Sequence, residues 1–284
     1  MKREVLSIYS KLPETLKLRF RRLKFFTFFK NQILGHNDKL YCEYFEINKK
    51  YKPYNVSFQF YAPIVVGSRA IKKGIESTLL RHSVELVNRY KTNKEDTIII
   101  DVGANYGFLS MVWANSLALE GKIYSIEANP NVYSAFKESL NVNELKNISL
   151  LNNAVGNKNG SVQLFINNTS SNIIHNQSVT DVIEINMITL DTFIKNKNIE
   201  RCDLIKIDVD GIEYEILQGS KFILQKFKPI CIVELNEDFK ILQFFSDLDY
   251  SVLDMNLKQV NCEKVPKVWP LNIFCVHKDD YHSN

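Results

Sequence analysis

A chain of 284 residues with 45% hydrophobic and 24% charged residues has the composition of a globular protein large enough to bury a full core. No run approaches the roughly 18 apolar residues of a membrane-spanning helix, no secretory signal follows Met1-Lys2-Arg3-Glu4, and the five cysteines form no C-x-x-C pair that would indicate zinc or a disulfide framework. The expected compartment is therefore the cytoplasm. The net charge of +4 is uneven: residues 1–40 hold ten Lys/Arg against three Asp/Glu, which leaves the remainder slightly acidic.

Residues 1–40 read as a basic helical segment, with Leu16, Leu18, Phe20, Leu23, Phe25, Phe26, Phe28 and Phe29 set among Lys17, Arg19, Arg21, Arg22 and Lys24. Such a segment either packs its apolar stripe on the main domain or docks on an anionic membrane surface or an acidic partner. Residues 41–72 alternate aromatic and polar positions and contain Pro53 and Pro63, which suggests two or three short strands covering the main domain. The first 72 residues thus read as a cap, docking or oligomerisation element, and residues 73–284 as a ligand-binding domain.

From residue 73 strands and helices alternate. Helices are predicted over 75–90, 106–119, 132–141, 190–195, 214–226 and 238–248. Strands are predicted over 97–100, 122–126, 148–152, 204–209, 230–234, 251–254 and 272–277, and a further pair, 162–166 and 182–188, brackets a polar insert. This alternation implies an α/β fold whose sheet is mostly parallel. The last two strands have little helix between them, so an antiparallel hairpin is expected at one edge.

The run Ile98-Ile99-Ile100-Asp101-Val102-Gly103-Ala104-Asn105-Tyr106-Gly107 ends an apolar strand in an acid and a two-glycine turn. Gly103 admits close backbone approach of a ligand and Gly107 lets the next helix pack on the strand. That helix points its N-terminus toward the carboxyl end of the sheet, where open α/β sheets bind ligands. The spacing is not the G-x-G-x-x-G of a dinucleotide fingerprint, which argues against a nicotinamide cofactor, and no Walker lysine is present to hold a triphosphate. Glu127 ends the second strand, where an acid can accept both hydroxyls of a ribose. Asn152 and Asn153 follow the third strand and either meet a base edge or simply make a turn.

A third cluster, Leu204-Ile205-Lys206-Ile207-Asp208-Val209-Asp210-Gly211-Ile212-Glu213, delivers four charged side chains to one strand end. The neighbouring strand ends at Glu234, so Asp208 and Glu234 are expected to face one cleft. Paired carboxylates there serve as a general base with its partner, or Asp208, Asp210 and Glu234 bind a divalent cation such as Mg²⁺.

The set DVGANYG, IYSIEANP, NNAVGNKNG, ITLDTF and DLIKIDVDGIEYEILQGS resembles the FkbM family of S-adenosylmethionine-dependent methyltransferases over residues 74–277. The resemblance implies a Rossmann-type methyltransferase, with a mostly parallel seven-stranded sheet, that O-methylates hydroxyls of sugars or polyketide products. It places Asp101, Gly103, Asn105 and Gly107 at the methionine end of S-adenosylmethionine, Glu127 on the ribose and Asn153 near the adenine. Asp210 stands where the family usually has Glu, and Ser170-Ser171 where many members carry a serine pair at the mouth of the site.

Methyl transfer to a hydroxyl needs a base, and Asp208 is the first choice, Glu234 the second and His175, in the polar insert, the third. Lys206 orients a carboxylate or the substrate. Asp210, Glu213, Ser171 and His175 are candidate substrate contacts. The expected activity is O-methylation of a glycan or glycosylated metabolite. Alternatives are a metal-assisted small-molecule methyltransferase and a non-catalytic scaffold of the same fold. No nucleic-acid partner is expected, because the basic stripe is remote in sequence from the pocket and no N-P-P-Y-like motif follows Asp208. Trp269 either stacks on a sugar face or plugs the core.

Overall fold

The computed structural model describes residues 42–91, 95–167, 170–172 and 181–281. The expected basic helix, His175 and the centre of the polar insert lie outside these residues. Residues 43–284 form one compact unit.

Strands β1 (Cys42–Tyr51) and β2 (Tyr54–Pro63) pair into a two-stranded sheet, as the alternation suggested. Pro63 ends β2 and opens a helix, α1 (Ile64–Lys73), that period-two alternation had hidden. These elements lie inside the compact unit, so a division after residue 72 does not follow a gap in packing. Phe58 and Phe60 set their rings edge-on against Phe108. The backbone N–H groups of Gln59 and Tyr61 donate to Asn143 and Ser139 side chains at 2.8 Å.

Helix α2 (Ser77–Tyr90) leads into β3 (Ile98–Val102), α3 (Phe108–Ala114), β4 (Lys122–Ile126), α4 (Pro130–Asn143) and β5 (Ile148–Leu151). Short strands β6 (Ala154–Val155) and β8 (Ser170–Asn172) join β7 (Gly160–Asn167) and β9 (Asp181–Ile188) in a separate four-stranded sheet ordered β6-β9-β7-β8. Then follow α5 (Leu190–Asn196), β10 (Leu204–Ile207), α6 (Glu213–Gln218), α7 (Lys221–Phe227), β11 (Ile230–Glu234), α8 (Phe239–Asp247), β12 (Tyr250–Leu253), β13 (Asn272–His277) and α9 (Lys278–Tyr281).

The helix expected over 214–226 is two helices. The chain turns at Gly219, whose missing side chain makes room for the backbone of Gly156, and the Asp191 carboxylate then accepts the N–H groups of Phe222 and Ile223 at 3.0 Å to restart the helix.

The seven-stranded sheet is ordered β12-β13-β11-β10-β3-β4-β5. All pairings are parallel except those of β13, which runs against both β11 and β12. The antiparallel edge pair is therefore present, with β13 inserted between β12 and the parallel strands. The fold is α/β of the Rossmann methyltransferase type. On one face Ile100, Val102, Ile205, Ile207, Cys231 and Val233 pack with Leu190, Phe193, Ile216, Leu217, Leu224, Leu242 and Phe245 of α5–α8, and Trp269 leans on this core. Because side chains alternate across a strand, Asp101 and Lys206 belong to the opposite face. From β3 the chain proceeds to β4 and β5 on one side and later to β10 and β11 on the other. The crevice between β3 and β10 is thus a topological switch point, the usual ligand position in open α/β sheets.

Candidate active site

Parallel register puts Lys206 opposite Asp101 and Asp101 opposite Ser125 at the carboxyl end of the sheet. A buried polar chain results. Ser110, on α3, donates to Asp101 Oδ2 and lies 2.8 Å from Ser125 Oγ. Lys206 Nζ donates to the Gly103 carbonyl at 2.8 Å and lies 3.6 Å from Asp101 and 3.5 Å from Asp208. Asp101 is fully buried, and its Oδ1 makes no hydrogen bond. Burial pushes the Asp101 pKa up, against the pull of Lys206. Burial works against the charge on Lys206 as well, but Asp208, Asp101 and Glu76 more than offset it and hold the ammonium form above its usual range.

This chain of charges opens into a cleft with about 420 Å³ of free volume, the size of a small-molecule site. Of the residues expected from sequence, Asp101, Gly103, Asn105, Glu127, Asn153, Lys206, Asp208 and Asp210 line it. Gly103 sits at φ +72°, and a side chain there would run into the Asp208 carbonyl. Its glycine thus lets the β3 and β10 turns close on each other beside the ligand. Asn105 holds a left-handed conformation, φ +53°, and its N–H donates to Glu127 Oε2 at 2.8 Å. Glu127 Oε1 accepts the Asn129 N–H at 2.8 Å. Burial raises the Glu127 pKa despite these two bonds. A carboxylate fixed by two backbone donors keeps lone pairs for the hydroxyls of a ribose.

Several expected residues sit elsewhere. Gly107, at φ +82°, does not line the cleft; its missing side chain makes room for the Phe136 ring of α4, so its part is packing. Glu213 turns inward and accepts the N–H groups of Val209 and Gly211, at 3.0 and 3.1 Å, so it clamps the loop after β10 and does not face a substrate. Asn152 donates to the carbonyls of Glu127 and Ala128 at 2.8 and 2.9 Å, and thereby supports the β4 end. The Asn153 amide donates to the Asn186 carbonyl at 3.3 Å from the cleft wall. Ser171 pairs with Ile166 in β8.

Glu234 and Asp208 do meet. The carboxylates of Asp208, Asp210 and Glu234 come within 4.8 Å of one another, a spacing that could hold a divalent cation. Glu234 accepts from Asn236 Nδ2 at 3.1 Å. Burial first, and then the charge of Asp208, push its pKa up to about 7. Asp210, at φ +61°, is raised by burial and by Asp208.

Sequence reasoning missed three charged or amide side chains of this cleft. Glu76, in a left-handed conformation before α2, lines it, and its pKa is raised by burial and tempered by Lys206. Arg69 of α1 lines it as well. Asn129 caps α4 by accepting the Asn131 N–H at 3.0 Å, but its buried Nδ2 has no partner and belongs to a residue of the cleft wall. An Asn before Pro is a helix-start signal, and nothing in it points to a cleft wall.

The site suits S-adenosylmethionine on its own chemistry. Acids dominate the wall, which favours a ligand bearing a sulfonium and an ammonium; Glu127 stands ready for hydroxyls; and the Gly103 turn presents backbone rather than side chain.

Residues 101–252 match the family model described as the methyltransferase FkbM domain. A hexuronic acid methyltransferase, AglP of Haloferax volcanii, is 22% identical over 143 residues; the match takes in 50% of this chain and 57% of that protein. Among solved structures, a methyltransferase FkbM from Methylobacillus flagellatus KT has a TM-score of 0.44 at 15% identity, with 64% of this chain and 44% of that one covered. A precorrin-6y C5,15-methyltransferase from Geobacter metallireducens GS-15 has a TM-score of 0.42 at 15% identity, covering 72% of this chain and 89% of that one. Among the described residues no helix is long and apolar enough to cross a membrane.

Proposed function

The chain belongs to the FkbM methyltransferase family, and from that premise we propose that it is an S-adenosylmethionine-dependent O-methyltransferase acting on a hydroxyl of a glycan or glycosylated metabolite. The observation that carries this reading is the convergence of Asp101, Gly103, Glu127, Lys206 and Asp208 on one nucleoside-sized cleft at the switch point of the sheet. The similarity to a hexuronic acid methyltransferase supports a sugar acceptor.

When bound, S-adenosylmethionine supplies an electrophilic methyl on a sulfonium. Glu127 would hold the ribose hydroxyls, and Asp101 and Glu76 would face the positive charge of the methionyl end. Lys206 does not react. Paired with Asp101 and Asp208 and bonded to the Gly103 carbonyl, it keeps those groups in place and their charges separated. Asp208, half-buried beside Glu234, would take the proton of the acceptor's hydroxyl, with the bound donor supplying the methyl. Much of the rate then comes from holding oxygen and methyl in line, and the base adds a factor of about 10²–10⁴.

Transfer of labelled methyl from S-adenosylmethionine to extracted glycans tests this reading. Asp208→Asn should lower turnover by about 10²-fold or more while S-adenosylhomocysteine binds as before. Normal turnover in that variant would remove Asp208 as the base. Chelator should leave the rate unchanged. A loss restored by Mg²⁺ would instead assign Asp208, Asp210 and Glu234 to a cation.

A further inference from the structure

Arg69 is an exposed side chain on the wall of an acid-rich cleft. It lies one turn beyond Val65 on α1, and Val65, Val66 and Arg69 all line the cleft. The acids of that wall are Glu76, Asp101, Glu127, Asp208 and Asp210, and its only cations among the described residues are Lys206 and Arg69. Lys206 is committed: it bonds the Gly103 carbonyl and sits between Asp101 and Asp208. Arg69 is not. Its guanidinium makes no hydrogen bond or ion pair with the described residues, although the same cleft holds five carboxylates.

An anion entering this cleft would find one free partner. The guanidinium fork fits a carboxylate in two parallel hydrogen bonds, whereas it has no favourable contact with a neutral hydroxyl face beyond single bonds. The cationic groups of the methyl donor are served by the acids. Arg69 also lies outside residues 101–252, the stretch matched by the family model.

We propose that Arg69 is a specificity-determining residue that holds the carboxylate of an acidic sugar, so that the acceptor is a uronic acid residue with one of its hydroxyls turned toward Asp208. Val65, of which 63% is exposed, and Val66 provide apolar surface for the ring beside that carboxylate. This inference rests on the methyl-transfer reading and narrows its acceptor class.

Calorimetry on the full chain saturated with S-adenosylhomocysteine, titrated with methyl glucuronide and with methyl glucoside, tests it. The glucuronide should bind at least about tenfold more tightly. Arg69→Ala should erase that preference, Arg69→Lys should restore part of it, and both variants should bind S-adenosylhomocysteine within about twofold of the parent. Absence of a preference in the parent, including failure of both glycosides to bind, would overturn the inference. So would a tenfold loss of S-adenosylhomocysteine affinity in Arg69→Ala, which would put the carboxylate of the methyl donor on Arg69. Failure of the parent to bind S-adenosylhomocysteine at all would instead remove the methyl-transfer reading.

Discussion

At the scale of single residues the site depends on how carboxylates are kept charged or neutral. Glu234 holds its proton to about pH 7, because burial and Asp208 both disfavour its anion. An ionised Glu234 makes the neighbouring Asp208 a stronger proton acceptor, so the rate should rise with pH through an apparent value near 7, and Glu234→Gln should remove that limb. The stability sign is the reverse. A carboxyl whose pKa is raised on folding binds its proton more tightly in the native state, so the native state loses stability as pH rises from its usual 4.5 toward 7. Melting curves of Glu234→Gln should thus show a gain over the parent at pH values above 7 and little change below 4.5. The residues of the cleft were legible in sequence where a charge interrupted an apolar run, as with Asp101, Lys206 and Asp208. Arg69, Glu76 and Asn129, which end no apolar strand, were not, and Glu213 read as a substrate contact because its inward turn onto Val209 and Gly211 is not encoded in spacing.

At the scale of elements, the two glycines after β3 do different work. Gly103 lets the β10 turn close upon the β3 turn, and Gly107 lets α3 approach α4 at Phe136. Gly103→Ala adds left-handed strain to a backbone collision, and should cost about 2–4 kcal/mol of stability by denaturant titration, with cofactor affinity falling alongside. An unchanged midpoint would mean that the two turns are loosely packed. The strands and helices of the main sheet could be read from apolar runs of the right length, and β13 was foreseeable as antiparallel because too little helix precedes it. Helix α1 and the break between α6 and α7 escaped, since each depends on a tertiary contact: Phe45 over Gly67, and Gly156 against Gly219.

At the scale of the whole molecule, the cleft is rich in acids and the first 40 residues are basic. We propose that the basic segment docks on anionic membrane surfaces. The full chain should co-float with phosphatidylserine-containing vesicles at low salt and detach as salt rises, and a chain without residues 1–40 should remain in solution. Equal flotation of both would assign the segment to packing instead.

The central claim is that the cleft between β3 and β10 holds S-adenosylmethionine, and calorimetric titration with S-adenosylhomocysteine tests it most directly. The expected result is saturable binding of one ligand per chain, weakened at least about tenfold by Glu127→Ala, which removes charged hydrogen bonds worth about 1.5–3 kcal/mol each. No heat at about 1 mM ligand, or full affinity in the Glu127→Ala variant, would contradict it.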